Sequence, residues 1–207
     1  MTGKTGDSAN QSGEENIENA RVGIARSMEA GNDPQVRQYA AMLLGQLGES
    51  EGIDPLLRAL RDPDKKVRAQ AATALGEIGD PSIDSLTHLM NDPDWKVRYR
   101  AAEALGIIGS KKAVPFLIIS LDDQKDHVRY MAAKALGTIG SRDAEKALIA
   151  RLMDENEFVR RSAATALGKT GGIAAKEALK KSLAREPSEE NRKVFGSTLQ
   201  LLEKKAV

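Results

Sequence analysis

The stretch DPDWKVRYRAAEALGIIG, residues 92–109, recurs along the chain with small changes. Its valine–arginine pair begins at Val97. Matching segments begin at the other valines Val36, Val67, Val128 and Val159. Successive copies are therefore separated by about 31 residues. A fixed period of this length is typical of proteins that stack one small structural unit on the next.

Each copy has the pattern of an amphipathic helix. In the third copy, the apolar residues on one side of the pattern are Val97, Ala101, Ala104, Leu105 and Ile108. This spacing places them on one face of a helix with about 3.6 residues per turn. We therefore predict a helix in every copy, with that face turned toward a core.

The sequence also marks the ends of this helix. Asp92 suits the N-cap, and Pro93 suits the first helical position, where its missing N–H has no cost. Gly109 follows the last periodic residue and suits the left-handed conformation that ends helices. Gly106 lies inside the helix, where glycine is unfavourable by ~1 kcal/mol, so its recurrence in every copy predicts close contact between helices.

A second apolar helix precedes each of these. One aligned position holds Leu56, Leu86, Leu117 and Leu148, and the position four residues later holds Leu60, Met90, Leu121 and Leu152. The unit is therefore predicted to be a two-helix hairpin. The first hairpin is predicted over residues 17–29 and 34–47, and the last over residues 173–184 and 189–204. The last copy loses most of the pattern, which is typical of a capping repeat.

The pattern DPxxxVRxxAAxALGxIG resembles the HEAT-like repeats of the phycobilisome-lyase type, and the resemblance covers about residues 17–204. It implies an all-α fold, a right-handed α-solenoid of about six two-helix repeats in a single domain. The expected repeats are about 17–48, 49–79, 80–109, 110–140, 141–171 and 172–204. Residues 1–16 are expected to form a flexible polar tail, and residues 205–207 the C-terminal end. The family includes scaffolds, bilin-lyase subunits and consensus-designed binders, so the resemblance does not choose among functions.

Composition narrows the choice of partner. The 207 residues include 31 Lys and Arg and 30 Asp and Glu, which gives a net charge of +1. This balance disfavours nucleic acid and anionic membranes as partners. The longest apolar run, residues 113–119, is too short to span a membrane, and no secretory signal is evident. The absence of cysteine fits a reducing compartment, so we expect a cytoplasmic protein.

An arginine follows the first valine of every copy. These arginines are Arg37, Arg68, Arg98, Arg129 and Arg160, and the aspartates Asp62, Asp92, Asp123 and Asp154 precede the last four of them by six residues. The row suits either of two roles: binding phosphates or carboxylates, or holding the structure together. In HEAT-like families such Asp and Arg residues tie neighbouring repeats together, so we interpret these residues as a structural ladder.

The two histidines do not form a recognisable site. HEAT-like di-iron hydroxylases carry repeated His-Glu pairs, whereas Leu89 follows His88 and Val128 follows His127 here. His88 lies outside the apolar stripe and is expected to be a solvated surface residue. No catalytic residue, metal ligand or cofactor-binding residue is predicted.

Three of the seven aromatic residues are predicted to point away from the core. Trp95 and Tyr99 lie on the third copy and Tyr130 on the fourth. With Glu103, Lys134 and Arg161 they are predicted to form a protein-binding surface on the concave face that such repeats present. The alternative is that Trp95 folds over the turn between repeats and that the two tyrosines pack on each other. Tyr39, Phe116 and Phe158 border the apolar stripe and are predicted to be packing residues.

These features favour a non-enzymatic adaptor, expected to be a monomer, that holds a protein or peptide. The alternatives are a subunit of a bilin-lyase-like or other HEAT-like enzyme, and a nucleic-acid-binding solenoid. The array is either natural or consensus-designed; its irregular first and last units favour a natural origin.

Overall fold

The computed structural model describes residues 19–20, 22–28, 33–48 and 50–204. The described residues contain helices and turns and no β-strand. The predicted tail and the last three residues lie outside this part of the chain. Of the first predicted helix, residues 19–20 and 22–28 are described, and they are helical.

The helices with complete bounds follow one another in long and short pairs. They are α1 (Pro34–Leu47), α2 (Ile53–Ala59), α3 (Lys65–Ile78), α4 (Ile83–Leu89), α5 (Trp95–Ile108), α6 (Val114–Ser120), α7 (Asp126–Ile139), α8 (Glu145–Arg151), α9 (Glu157–Thr170), α10 (Ile173–Leu183) and α11 (Glu189–Lys204). A 3₁₀ turn opens each of the short helices α2, α4, α6 and α8. Each short helix packs against the long helix that follows it, so the predicted hairpins are present in the described residues.

The chain divides into two compact units, one ending at Ile78 and the other beginning at Gly79. In the first unit, α1 packs against α3 and α2 packs against α3. In the second unit, α5, α7, α9 and α11 pack side by side in that order. Each of these four contacts a short helix as well, which gives the second unit two layers.

The core of each unit consists of the periodic residues. The aligned leucines Leu56, Leu86, Leu117 and Leu148 have no exposed surface. The residues of the other first-helix position, Leu60, Met90, Leu121 and Leu152, are at most 6% exposed. Full burial of such a side chain is favourable by ~1.5 to 3 kcal/mol. These predicted positions of the short helices are therefore confirmed as core. In the stripe of the third copy, Val97, Ala101, Ala104 and Leu105 are buried as predicted, whereas Ile108 is half-buried.

The ends of the long helices differ in part from the prediction. Gly109 has the left-handed φ of 72° that the prediction requires. The glycines at the equivalent position of other copies, Gly48, Gly79 and Gly140, also have positive φ. The N-cap, however, is Asp94, whose carboxylate accepts the Lys96 N–H at 2.9 Å. Asp92 instead accepts the N–H of Asp94 at 2.9 Å, two residues later. The predicted cap at Asp92 is wrong because that carboxylate closes a turn before the helix begins.

Gly106 and Gly137, inside the long helices α5 and α7, lie where the next long helix approaches closely. A Cβ on Gly106 would lie 2.8 Å from the Cβ of Ala135 in the next long helix, and one on Gly137 would lie 2.9 Å from the Cβ of Ala166. Real Cβ atoms do not pack so closely, so neither position has room for a side chain. The prediction of close helix contact at these glycines is confirmed.

We expect Gly106→Ala to lower the free energy of unfolding by ~1 to 3 kcal/mol, because the added methyl group forces α5 and α7 apart. Gly196 provides a matched control, since it also lies inside a long helix but a Cβ added there would meet no neighbouring atom within 4 Å. Gly196→Ala should leave stability unchanged or raise it by up to ~1 kcal/mol through helix propensity. Urea unfolding followed by circular dichroism measures both. Equal stability of the two variants would show that the helix approach does not constrain the fold.

Candidate functional site

The arginine near the start of each of the long helices α5, α7 and α9 connects two consecutive turns. In α5, Arg98 donates from Nε and Nη2 to the two carboxylate oxygens of Asp123, at 2.7 and 2.8 Å. Its Nη1 donates to the backbone carbonyl of Asp92 at 2.7 Å. One guanidinium therefore holds the turn of its own repeat and the turn of the next repeat.

The same arrangement recurs in both units. Arg129 donates to Asp154 at 2.8 Å from both Nε and Nη2, and both side chains are buried. In the first unit, Arg37 donates to Asp62 at 2.6 and 2.9 Å. The interpretation as a ladder between repeats accounts for these contacts, because the aspartate that an arginine pairs with lies 25 residues further along the chain.

The other predicted members take part through their backbone contacts. Arg68 donates to the carbonyl oxygens of Asp62 and Pro63, at 2.6 and 2.8 Å. Asp92 is buried, and its carbonyl accepts from Arg98. In both cases the contacts stabilise the turn that precedes a long helix.

Sequence reasoning missed the last carboxylate of the row. Arg160 pairs with Glu186, at 2.8 Å from Nε and 2.7 Å from Nη2. Glu186 takes the place of the aspartate in the irregular last repeat. The signal that could have found it is spacing: Pro187 follows Glu186, and Arg192 lies six residues after it and donates to its carbonyl at 2.9 Å.

The hydrogen bonds of the ladder favour the charged forms of its arginines and carboxylates. Burial alone would raise the pKa of Asp123, but the hydrogen bonds from Arg98 and from the Lys125 N–H, with the nearby positive charges, lower it below its ordinary value. The hydrogen bonds to Asp123 raise the pKa of Arg98. Because Nε, Nη1 and Nη2 of Arg98 all donate within the protein, a ligand would have to displace a buried carboxylate to reach this guanidinium.

We expect Arg98→Ala to lower the free energy of unfolding by ~1 to 3 kcal/mol, because it leaves the largely buried Asp123 carboxylate without its partner. Lys112→Ala is the control, since it removes an ion pair with Asp80 in which both side chains are mostly exposed. That variant should be nearly as stable as the wild type. Thermal and urea unfolding measure both changes. Unchanged stability of Arg98→Ala would contradict the structural ladder.

Acid should weaken the ladder in a defined direction. The folded pKa of Asp123 lies below its ordinary value of 3.8, so its contribution to stability is complete above that value and is lost as the pH falls through the folded pKa. The same sign holds for Asp62 and Glu186, whose pKa values are also lowered. We therefore expect the stability difference between the wild type and Arg98→Ala to be constant from about pH 7 to about pH 5 and to shrink below about pH 4. Urea unfolding at each pH measures it, and a difference that acid does not change would argue against an ionised pair.

On the outward face of α5, the predicted aromatic residues are half-buried. The ring of Trp95 lies 5.0 Å from the ring of His127 in α7, with 49° between the planes. The guanidinium of Arg100 lies 5.1 Å from the ring centre of Tyr99 and forms an ion pair with Glu103. Burial raises the pKa of the Tyr99 hydroxyl, and the charge of Glu103 adds to this effect. Trp95 and Tyr99 are thus less exposed than the prediction had them, because side chains of neighbouring turns cover part of each ring.

The next pair of long helices forms an open cleft. Between α7 and α9, a cleft of about 400 Å³ has Tyr130, Lys134 and Arg161 among its lining residues, together with Phe158. A smaller cleft of about 220 Å³ adjoins these residues and is also lined by Tyr130 and Phe158. Three of the six predicted surface residues therefore line the same cleft. We call the larger and the smaller cleft together the α7–α9 cleft.

The α7–α9 cleft includes a residue whose predicted role was wrong. Phe158 is 53% exposed, and Tyr39 and Phe116, which were also predicted to pack in the core, are 63% and 39% exposed. Buried alanines fill the stripe of the two long helices that carry Tyr39 and Phe158, so these rings at its border stay outside, whereas Phe116 lies on the short helix α6. The buried aromatic residue of the described chain is Phe195. It occupies the position in α11 that Ala163 holds in α9, which the irregular last copy concealed.

Polar residues also line the smaller cleft. The Asp126 carboxylate lies 2.7 Å from Nδ1 of His127 and accepts from Nδ2 of Asn156 at 2.6 Å. The hydrogen bond with His127 lowers the pKa of Asp126. His127 is mostly exposed, and His88 is exposed as predicted. In the described part of the chain, no three His, Asp or Glu side chains come together in a way that would hold a metal ion.

Residues 25–93, 81–129 and 115–200 match the family model for HEAT repeats, so the chain belongs to the HEAT-repeat family. The predicted HEAT-like family and the all-α solenoid class are confirmed. Within the described residues, none of the helices combines the length and the apolar content that a membrane span requires.

Solved structures place the fold in the same group. The complex of CpcE and CpcF of phycocyanin lyase from Nostoc sp. PCC7120 is 29% identical, with a TM-score of 0.57 over 83% of this chain and 73% of that chain. A designed armadillo repeat protein in complex with the peptide (KR)4 is 21% identical, with a TM-score of 0.55 over 86% of this chain and 98% of that one. The archaeal HEAT-like repeats protein from Thermococcus onnurineus NA1 is 16% identical, with a TM-score of 0.55 over 90% and 88% of the two chains. A comparison with curated proteins gave no match.

Proposed function

We propose that the chain is a non-enzymatic interaction scaffold that holds an extended segment of a partner protein on the outward face of its long helices. The α7–α9 cleft is its principal contact. The observation that carries the proposal is the pairing of Tyr130 and Phe158, two rings that line an open cleft with polar and charged residues around them. Rigid aromatic surface that a partner can cover, with a polar rim, is the usual composition of an interaction hot spot.

The way the charged residues are used supports the same proposal. The arginines that suit anion chemistry are occupied by the ladder, whereas the residues of the α7–α9 cleft differ from one repeat to the next. HEAT and armadillo solenoids commonly bind proteins or peptides, and a designed armadillo repeat protein of similar fold was solved in complex with the peptide (KR)4. Action as a monomer in the cytoplasm, which the sequence favours, is part of the proposal.

A role as a bilin-lyase-like subunit is the second candidate, and the likeness to the CpcE and CpcF complex favours it. A bilin held in a protein pocket changes its absorption spectrum, because the pocket fixes its conformation. Mixing the purified chain with a free bilin distinguishes the two candidates. A shift in the absorption spectrum that saturates with protein would favour the lyase-like role over the scaffold.

We expect the double variant Tyr130→Ala, Phe158→Ala to lose affinity for a bound peptide by at least about tenfold, because each hot-spot ring contributes ~1 to 2 kcal/mol. A displayed library of random peptides, selected on the immobilised wild-type protein, supplies the peptides. Affinity is then measured with synthetic copies. The melting temperature should change little, since Phe158 is already 53% exposed.

Tyr39→Ala is the matched control, because this ring is 63% exposed on α1, a helix that does not line the cleft. It should bind the selected peptides as the wild type does. Failure to select any peptide, or equal loss of affinity in the control and the double variant, would overturn the proposed function.

A further inference from the structure

The α7–α9 cleft is apolar at one end and basic at the other. Tyr130 and Phe158 line the smaller cleft, and Lys134 and Lys169 line the larger one with Arg161. Lys134 lies four residues after Tyr130 on the same helix, and Lys169 lies eleven residues after Phe158. At about 1.5 Å per residue, the basic groups are displaced along the cleft from the rings by roughly 6 to 16 Å.

Arg161 has a carboxylate partner within the protein, whereas the two lysines have none among the described residues. Arg161 donates from Nη1 and Nη2 to the carboxylate of Glu190, at 2.8 and 3.0 Å, and from Nε to Asn191 at 2.8 Å. Lys134 and Lys169 are exposed and form no ion pair with any residue that the structure describes. No carboxylate is among the described residues that line the larger cleft. The basic end therefore carries positive charge that is open to a ligand.

The smaller cleft, which Tyr130 and Phe158 line, also carries a negative charge. The Asp126 carboxylate lies there, with His127 and Asn156 as its hydrogen-bond partners. An anionic group would be repelled at that end and attracted at the lysine end. The charge distribution thus sets the order in which an apolar and an acidic group can bind.

We propose that the α7–α9 cleft binds an acidic protein segment in which an apolar or aromatic residue is followed or preceded, two to five residues away, by aspartate or glutamate. This inference rests on the proposed function and adds the chemistry of the partner. The apolar residue packs between Tyr130 and Phe158, and the carboxylates lie against Lys134 and Lys169. The spacing follows from the displacement along the cleft, since an extended chain advances about 3.3 Å per residue.

A strand of nucleic acid also combines stacking rings with negative charge. Its phosphates, however, would be spaced along the entire cleft and would meet the carboxylate of Asp126, which lines the smaller part. The net charge of +1 provides no broader field to offset this carboxylate. A peptide with carboxylates at one end avoids this conflict.

The test uses synthetic, fluorescently labelled peptides in a glycine–serine background. The first contains one phenylalanine with glutamate three and five residues later, the second has glutamine in place of glutamate, and the third has lysine. We expect the glutamate peptide to bind at least about tenfold more tightly than the glutamine peptide, the lysine peptide to bind most weakly, and the preference to fall as salt is added. Fluorescence anisotropy measures all three, and equal or reversed affinities would overturn the acidic class.

Charge reversal supplies the matched variants. Lys134→Glu, Lys169→Glu should bind the glutamate peptide at least about tenfold more weakly and the lysine peptide more tightly than the wild type does. Lys111→Glu, Lys146→Glu makes the same change in net charge at exposed positions outside the cleft and should keep the wild-type order. If both double variants behave alike, the preference comes from overall charge and the inference is wrong.

The two proposals fail in different ways. Library peptides that depend on Tyr130 and Phe158 but lack acidic residues, and that bind the Lys134→Glu, Lys169→Glu variant normally, would overturn the acidic class and leave the scaffold standing. Saturable binding of labelled oligothymidylate, with no binding of the library peptides, would overturn both. Displacement of the glutamate peptide by unlabelled copies of itself, and not by the oligonucleotide, is the result we expect.

Discussion

A guanidinium that bridges two consecutive turns is the interaction on which the rest of the second unit depends. Arg98 and Arg129 each hold the carbonyl of their own turn and the carboxylate of the next, so the offset between adjacent hairpins is fixed to within the tolerance of a hydrogen bond. The glycine–alanine contacts between the long helices fix the distance at the same time. With offset and distance both set, residues at equivalent positions of successive long helices come to lie side by side, which is how Tyr130 and Arg161 meet in one cleft.

The last repeat shows how the same interaction is kept when the sequence departs from the pattern. Glu186 replaces aspartate, and its longer side chain still accepts both donors of Arg160. Asn191 takes the position of the buried valine and remains buried, because it donates to the carbonyl of Glu157 at 2.9 Å and accepts from Arg161 at 2.8 Å. Phe195 then fills the volume where the other copies have alanine. The repeat can therefore end in polar surface while Asn191 keeps its hydrogen bonds.

The features that could be predicted from the sequence are those that recur from copy to copy. The core leucines, the left-handed glycines and the arginine row recur at one spacing, so periodicity predicts the stacked helical hairpins and the row of arginines. The interpretation of that row as a structural ladder comes from the resemblance to HEAT-like repeats. The exposure of single aromatic residues does not repeat. Trp95 is partly covered by His127 of the next helix, and Phe158 is exposed because alanines already fill the stripe beside it. The cover on Trp95 comes from a side chain in another copy, which a helix-by-helix analysis of one face does not include. The exposure of Phe158 depends on how much of the core the neighbouring alanines already fill.

Some positions are the same in every copy and others vary. This difference separates the residues that build the core from the residues proposed to bind a partner. Ala101, Ala132 and Ala163 are identical, and each is fully buried in the core, where close packing constrains the volume of a side chain. The outward position two residues before each of them is not uniform: it holds tyrosine in Tyr99 and Tyr130 and arginine in Arg161, although the backbone presents the three in the same way. Packing therefore constrains this position less than it constrains the alanine position, which supports the proposed role of the α7–α9 cleft in recognition. A solenoid with a uniform interior and a varied outward face is suited to binding a partner along its length, with each repeat contacting a different part of the partner. This is the physical basis for proposing the α7–α9 cleft as the recognition site and for assigning the arginine ladder to the fold.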